Sequence, residues 1–420
     1  MGETKMRSRQ ILLASAITGI LAGLTACGGG SDKNATSNYV SGPITAFGSI
    51  YVNGTRYNTD NASVYIEDKS ADESDLRVGM MVTIETSLNN SASVIHFDDD
   101  LEGFVTSTTI AADNTGTMVI MGQDVTITST TIFESKVAAI TSASMIVAGN
   151  IVEASGYSNG DGSITATRLE VKAEDLASYL LTHPEGVEVK GIVNSHNTTD
   201  QTFMIGSQLV DYSTANLGDM PQGNWDTLYV EVKSIQDLNA GTMIASKVEL
   251  ENDGSKHHGD DGDEIEVKGA ISEISDSQIT VNGHSFLIND DTEIEHGVAA
   301  DLIVDAIVEV EGYINSNGEL VAHEVEFEDH ENGSSIEFHG SISAIETSDI
   351  NVGQITLSGG QFILIDNNTI MHDDRDENGV IPDTHFNLSS LGTGDFVEVL
   401  VIDNGDGTYT AVKLEREDSI

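Results

Sequence analysis

Short runs in which apolar and polar residues alternate, broken by glycine, asparagine or aspartate, recur from residue 40 almost to the end of the chain. A period of two puts successive side chains on opposite faces, the pattern of a half-buried strand. Helical spacing is confined to Glu174–Thr182, where Leu176, Tyr179 and Leu180 share a face, which predicts a short linker helix over 174–184.

The runs fall into five copies of one order of signals. Each copy opens with a glycine-led strand: Gly42-Pro43-Ile44, Gly103-Phe104-Val105, Gly191-Ile192-Val193, Gly269-Ala270-Ile271 and Gly340-Ser341-Ile342. A tight turn follows, as Asn53-Gly54 and Asn282-Gly283 in two copies, and Asn-Gly between alternating runs is a strong hairpin signal because both turn residues need positive φ. An apolar strand comes next, carrying Thr83, Glu153, Glu231, Glu309 or Glu398 on its polar face. The last strand is Ala166-Thr167-Arg168-Leu169-Glu170, echoed by Ala245-Ser246-Lys247-Val248-Glu249, Ala322-His323-Glu324-Val325-Glu326 and Ala411-Val412-Lys413-Leu414-Glu415. The first copy departs there, with Ala92-Ser93-Val94-Ile95-His96.

Units of roughly 60 to 85 residues hold only one small core, and closing a sheet into a barrel hides its edges. The expected fold is therefore all-β: about five tandem small antiparallel OB-like β-barrel units with one short linker helix. The units span 40–100, 101–173, 185–252, 264–330 and 334–417, with an acidic His/Gly linker at 253–263.

The N-terminus carries an address. Lys5, Arg7 and Arg9 precede an apolar stretch, Ile11–Leu24, too short to span a bilayer comfortably, so residues 1–26 read as a signal peptide. It closes in Leu24-Thr25-Ala26-Cys27, which resembles the bacterial lipobox, and makes Cys27, the sole cysteine, the expected lipidation site. Two or more acyl chains hold a protein stably at a membrane. Residues 27–39, opening Gly28-Gly29-Gly30-Ser31, read as a flexible tether. Gly28 after the cysteine, with no aspartate, resembles lipoproteins sorted to an outer membrane, on a face left open.

Together with the lipobox, Gly42-Pro43-Ile44-Thr45-Ala46-Phe47-Gly48-Ser49-Ile50-Tyr51-Val52-Asn53-Gly54 and Leu76-Arg77-Val78-Gly79-Met80 resemble bacterial lipoproteins of the domain-of-unknown-function 5666 family. The resemblance implies tandem small β-domains on a lipid tether. It brings no established activity, and no catalytic residue carries over.

Charge narrows the partners. Removing residues 1–26 takes away three positive charges and Glu3, a net of +2, so the formal charge of −51 becomes −53. Such a surface repels phosphate backbones, so nucleic acid is not an expected partner. With Cys27 spent on lipid no disulfide can staple the fold.

The most specific ligand pattern is Asp374-Arg375-Asp376-Glu377-Asn378-Gly379-Val380-Ile381, which resembles the start of an EF-hand loop. Calcium needs several hard oxygens on a tightly turning backbone, and Asp374, Asp376 and Asn378, with Asp383 as a substitute donor, form a candidate site against the alternative of a solvated loop. Pro382 and His385 break the later loop positions. Trp225, the only tryptophan, is expected to cap the third core rather than to stack a sugar. No Gly-x-Ser-x-Gly elbow, phosphate loop or His-Glu-x-x-His motif is present, and carboxylate pairs are too abundant to identify a glycosidase. The expectation is a lipid-anchored envelope protein whose barrels act as binding or spacer modules for an envelope or extracellular ligand. The alternatives are a glycan hydrolase with its site between units, or a calcium-dependent adhesion protein.

Overall fold

The computed structural model describes residues 38–67, 69–87, 89–97, 101–159, 163–218, 220–250, 262–275, 277–327, 335–375 and 382–418. The expected signal peptide, Cys27, most of the tether and of the acidic linker, and Asp376 and Asn378, lie outside them.

Unit 1 comprises β1 (Asn38–Phe47), β2 (Ile50–Val52), β3 (Thr55–Tyr57), β4 (Ser63–Ile66), β5 (Lys69–Ala71), β6 (Met81–Ser87) and β7 (Ser91–Phe97). Strand β1 pairs antiparallel with both β2 and β6, β7 pairs antiparallel with β6, and β4 runs parallel to β7. Its long first strand thus serves two neighbours, and β4 joins the last strand in parallel, which is the closure of an OB barrel.

The other units repeat it. Unit 2 has β8 (Leu101–Thr108), β9 (Gly116–Ile120), β10 (Gln123–Ser135), β11 (Ile151–Ser158) and β12 (Ile164–Ala173), with β10 parallel to β12. Unit 3 has β13 (Val187–Asn197), β14 (Thr202–Ile205), β15 (Gln208–Asp211), β16 (Tyr229–Ser234), β17 (Thr242–Ile244) and β18 (Lys247–Leu250); its last strand is broken into the final two pieces. Unit 4 has β19 (Glu264–Ser275), β20 (Gln278–Val281), β21 (His284–Leu287), β22 (Glu293–Glu295), β23 (Ile307–Ile314) and β24 (Leu320–Phe327). Unit 5 has β25 (Ile336–Thr347), β26 (Gly353–Leu357), β27 (Phe362–Ile365), β28 (Ile370–Asp373), β29 (Phe396–Asp403) and β30 (Tyr409–Glu417).

In every unit the register of the first strand slips once, between Ile44 and Ala46, Val105 and Ser107, Asn194 and Asn197, Ile271 and Glu273, and Ile342 and Ala344. Such bulges bend a strand and raise its twist, which lets it leave one partner and join another as the barrel closes. The predicted Asn-Gly turns hold, with φ of 49° and 70° at Asn53 and Gly54 and of 46° and 77° at Asn282 and Gly283. The linker helix is shorter than expected: α1 is one turn, Leu176–Tyr179, whose N-terminus is capped by the Asp175 side chain accepting from Ser178 N–H. Pro184 bars any continuation past His183, because the residue before a proline is driven out of the helical region.

The barrels do not follow one another in a simple row. The first strands of units 1 and 4 pair in parallel, Tyr39 to Ile265 through Ser41 to Val267, across more than half of the chain. Units 2 and 3 join through β8 and β13 and share one hydrophobic core. Gly122, at φ +77°, brings the unit 2 hairpin so close to unit 3 that a Cβ there would lie 2.2 Å from the Gln208 nitrogen. Unit 5 takes Ala46 and Tyr51 of unit 1 into its own core. Sequence periodicity fixes which face of a strand is buried, but not which distant edge it meets.

Candidate functional site

The outer faces of the barrels carry a row of cross-strand partners at one register. It starts at the residue before the opening glycine and crosses the last two strands. In unit 1 it is neutral, Ser41–Thr83–His96–Tyr65. In unit 2 it is Glu102–Glu153–Glu170–Glu134. Unit 3 has Lys190–Glu231–Glu249, unit 4 Lys268–Glu309–Glu326–Glu295, and unit 5 His339–Glu398–Glu415–His372. The alternation that sends valine and isoleucine inward aims these carboxylates outward.

In units 2 and 5 much of the outward face is nevertheless buried, where units 1, 2 and 5 meet. Arg168, 1% exposed, donates from Nη2 to Glu134 at 2.9 Å, lies 3.5 Å from Glu170, and reaches the Val78 carbonyl of unit 1 at 3.4 Å. His372 sets Nδ1 3.2 Å from Glu415 and Nε2 3.6 Å from Glu134. Lys413 pairs with Glu415 at 2.7 Å and extends Nζ to the Ser129 carbonyl at 3.4 Å. Burial alone would neutralise these groups, but the pairing wins. Against burial, His372 and Arg168 hold Glu134 well below the usual carboxylate range, and Lys172 with Arg168 lowers Glu170 to about 2. Burial likewise opposes charge on His372, yet Glu134 and Glu415 push it up to about 9.

A small cavity at this junction is lined by Arg77, Val78, Glu134, His372 and Asp373 among others, and has room for about one water molecule. Its one glutamate is ion-paired and held ionised, so it has no proton to give as a general acid near neutral pH.

Beside it, Asp373 closes the base of the expected calcium loop. Arg375 donates to it at 2.7 and 2.8 Å, Arg416 at 3.1 and 2.5 Å, and the Asp383 N–H at 2.7 Å. Asp374 follows β28 with its side chain exposed, its N–H donating to the Arg416 carbonyl. The Asp383 carboxylate accepts from His385 N–H at 3.1 Å and from the Ser390 hydroxyl at 3.3 Å. The clamp Asp373 was not singled out from sequence, because a strand-terminal aspartate next to an aspartate-rich loop looks like part of that loop.

In unit 4 the row is largely covered at Lys268 and Glu309, whose side chains are 13% and 14% exposed, and opens to solvent at Glu326 and Glu295; Glu324 stands where Arg168 and Lys413 stand in units 2 and 5. Glu266, Glu309 and Glu311 each bring a carboxylate oxygen within 4.8 Å of the others, as do Glu293, Glu295 and Glu324. Lys268 lies 4.0 Å from Glu309. Burial lifts Glu266 to about 7, with a hydrogen bond from Asn53 opposing and Glu311 adding.

Trp225 is 4% exposed in unit 3, stacked on His196 at 4.5 Å with its Nε1 donating to the Pro221 carbonyl. It caps the core and offers no open stacking face.

Fold and register row together define a protein of tandem OB-type barrels joined through charged outer faces. The chain belongs to the family described as a domain of unknown function, DUF5666, whose profile matches residues 41–95, 102–170, 268–326 and 339–415. The third barrel, between the second and third matches, has the same closure without a match of its own. No curated protein matches the chain. Among solved structures it is similar to "drosophila Unr CSD456", at 13% identity over 54% of this chain and 95% of that one, with a TM-score of 0.14. The barrel assignment rests on strand order rather than on that superposition.

Proposed function

We propose that this is a lipid-anchored envelope protein, tethered through Cys27, whose barrels act as one rigid binding module rather than as a flexible chain of spacers. The observation that carries this reading is the non-sequential pairing of β1 with β19, which ties the first barrel to the fourth. Strand ladders and buried ion pairs between barrels suppress the hinge motion a spacer of independent modules would have, so the acidic faces are held in fixed relation. The tether provides reach, and the strongly negative surface favours cationic over phosphate-bearing ligands. Fractionation tests the anchor: the wild-type chain stays with the outer membrane in high salt, and Cys27→Ala moves to the soluble fraction. Retention of Cys27→Ala at the membrane overturns it.

Calcium binding between Asp374 and Asp383 is a second reading, favoured by the Asp373 clamp that draws together the two ends of the loop. Calorimetric titration of the full chain with calcium would give a saturable heat that is lost in Asp376→Ala. An unchanged heat in that variant, or none in the wild type, rejects it.

A further inference from the structure

Units 2 and 3 share a core, but the ladder that joins their strands is two residue pairs long: Leu101 with Val189, and Glu102 with Glu188. Like charges directly opposite each other destabilise a strand pair. Here the opposed glutamates are 8% and 6% exposed, and Glu153, also 6% exposed, faces Glu102 from β11 on the other side. Oε1 of Glu102 and Oε1 of Glu153 are both buried without a hydrogen-bond partner.

The surrounding cations are already committed. Lys172 on β12 donates to Glu153 Oε2 at 2.5 Å and to Glu170 at 3.4 Å, and is 3.9 Å from Glu102 Oε1. Arg168 serves Glu134 and Glu170. Glu188 pairs with Lys233 of β16, which also holds Glu231, and lies 3.6 Å from Lys190, which reaches Glu67 of unit 1. From α1, Tyr179 hydrogen-bonds Glu102. Lys136 also holds Glu170, at 2.8 Å, whereas Glu102 meets Lys172 only at 3.9 Å, so a poorly compensated carboxylate sits in the seam.

We propose that Glu102, Glu153 and Glu188 bind a single proton between them, carried on Glu102, and that this proton fastens the seam between units 2 and 3. A protonated Glu102 has an O–H to give to an orphaned carboxylate oxygen, and it removes the repulsion across the ladder; on release the proton goes to solvent and two ionised glutamates face each other. Burial first, then Glu153 and Glu188, lift the Glu102 carboxyl to about 7 against the pull of Lys172 and Tyr179. A group raised in the closed state contributes most below its ordinary value of 4.5, and that contribution is lost as pH rises through the raised value.

Hydrogen exchange of the full-length chain, read by mass spectrometry over segments 101–104 and 187–190 and corrected for intrinsic pH effects, tests this. The seam-opening constant of the wild type should rise by up to about tenfold per pH unit between about 4.5 and 7, then level off. Glu102→Gln, which imitates the protonated acid, should stay protected with no such rise. A flat wild-type profile, or a Glu102→Gln profile that rises like the wild type, overturns the proposal. If Glu102→Gln does not fold, Glu153→Gln serves: it frees Lys172 for Glu102 and should flatten the rise, and an unaltered rise overturns the proposal equally.

Discussion

Units 4 and 5 end in the same strand and use it differently. Ala322-His323-Glu324-Val325-Glu326 and Ala411-Val412-Lys413-Leu414-Glu415 both send their glutamates outward, yet the Glu415 side chain is 11% exposed and that of Glu326 40%. The difference lies one register step away. Lys413 spans Glu415 and the backbone of unit 2, as Arg168 spans its glutamates and the backbone of unit 1, whereas unit 4 has Glu324 there. Burying a carboxylate costs several kcal/mol unless a cation is buried with it. In units 2 and 5 a basic residue at this position accompanies a covered last strand, and in unit 4 an acidic one accompanies a last strand left partly in water.

The comparison can be broken most severely at Arg168. Arg168→Met leaves Glu134 and Glu170 buried with a shared cation gone, and should cost about 3–5 kcal/mol in denaturant unfolding; a loss below about 1 kcal/mol would mean that the junction does not depend on pairing. Next comes pH. The His372 contribution, of order 3 kcal/mol, is complete below about 6.5 and lost as pH rises through about 9. The contributions of Glu170 and Glu415, each lowered to about 2 against burial, by Lys172 and Arg168 and by Lys413 and His372, are lost as pH falls from about 4.5 toward that value. Glu266 of unit 4 has the opposite sign: raised to about 7, it weakens the fold as pH climbs toward 7. Proteolysis at about pH 5 should therefore find unit 4 more resistant than at about pH 6.5, a window in which the His372 contribution to the junction is nearly constant.

Smaller effects sharpen the picture. Lys413→Met should cost about 1–3 kcal/mol, since His372 still compensates Glu415. Glu324→Lys in unit 4 should stabilise by about 0.5 kcal/mol, and the gain should vanish in high salt. Destabilisation by Glu324→Lys would show that the open face is not limited by repulsion.

Strand alternation, the Asn53-Gly54 and Asn282-Gly283 turns and the outward glutamates of the last two strands were legible in the sequence, because each depends on residues close in the chain. The neighbours of each barrel were not. Ser41 opposite Val267 is a pairing that no local pattern encodes. Arg168, read alone, is an outward residue on an amphipathic strand; only the packing of units 1 and 5 makes it 1% exposed. Comparing repeats sets Arg168, Lys247, Glu324 and Lys413 at one position, but Lys247 is itself partly exposed, so the repeat pattern alone does not mark Arg168 as buried. The calcium pattern drew attention to Asp374 and Asp383, while the residue that organises the loop base is Asp373.

The most direct test is barrel-resolved hydrogen exchange of the wild type and Arg168→Met. A body fastened through compensated faces predicts that one substitution in unit 2 lowers protection in units 1, 2 and 5 together and spares unit 4. Loss confined to unit 2 would contradict it, and would return the chain to five barrels in a row.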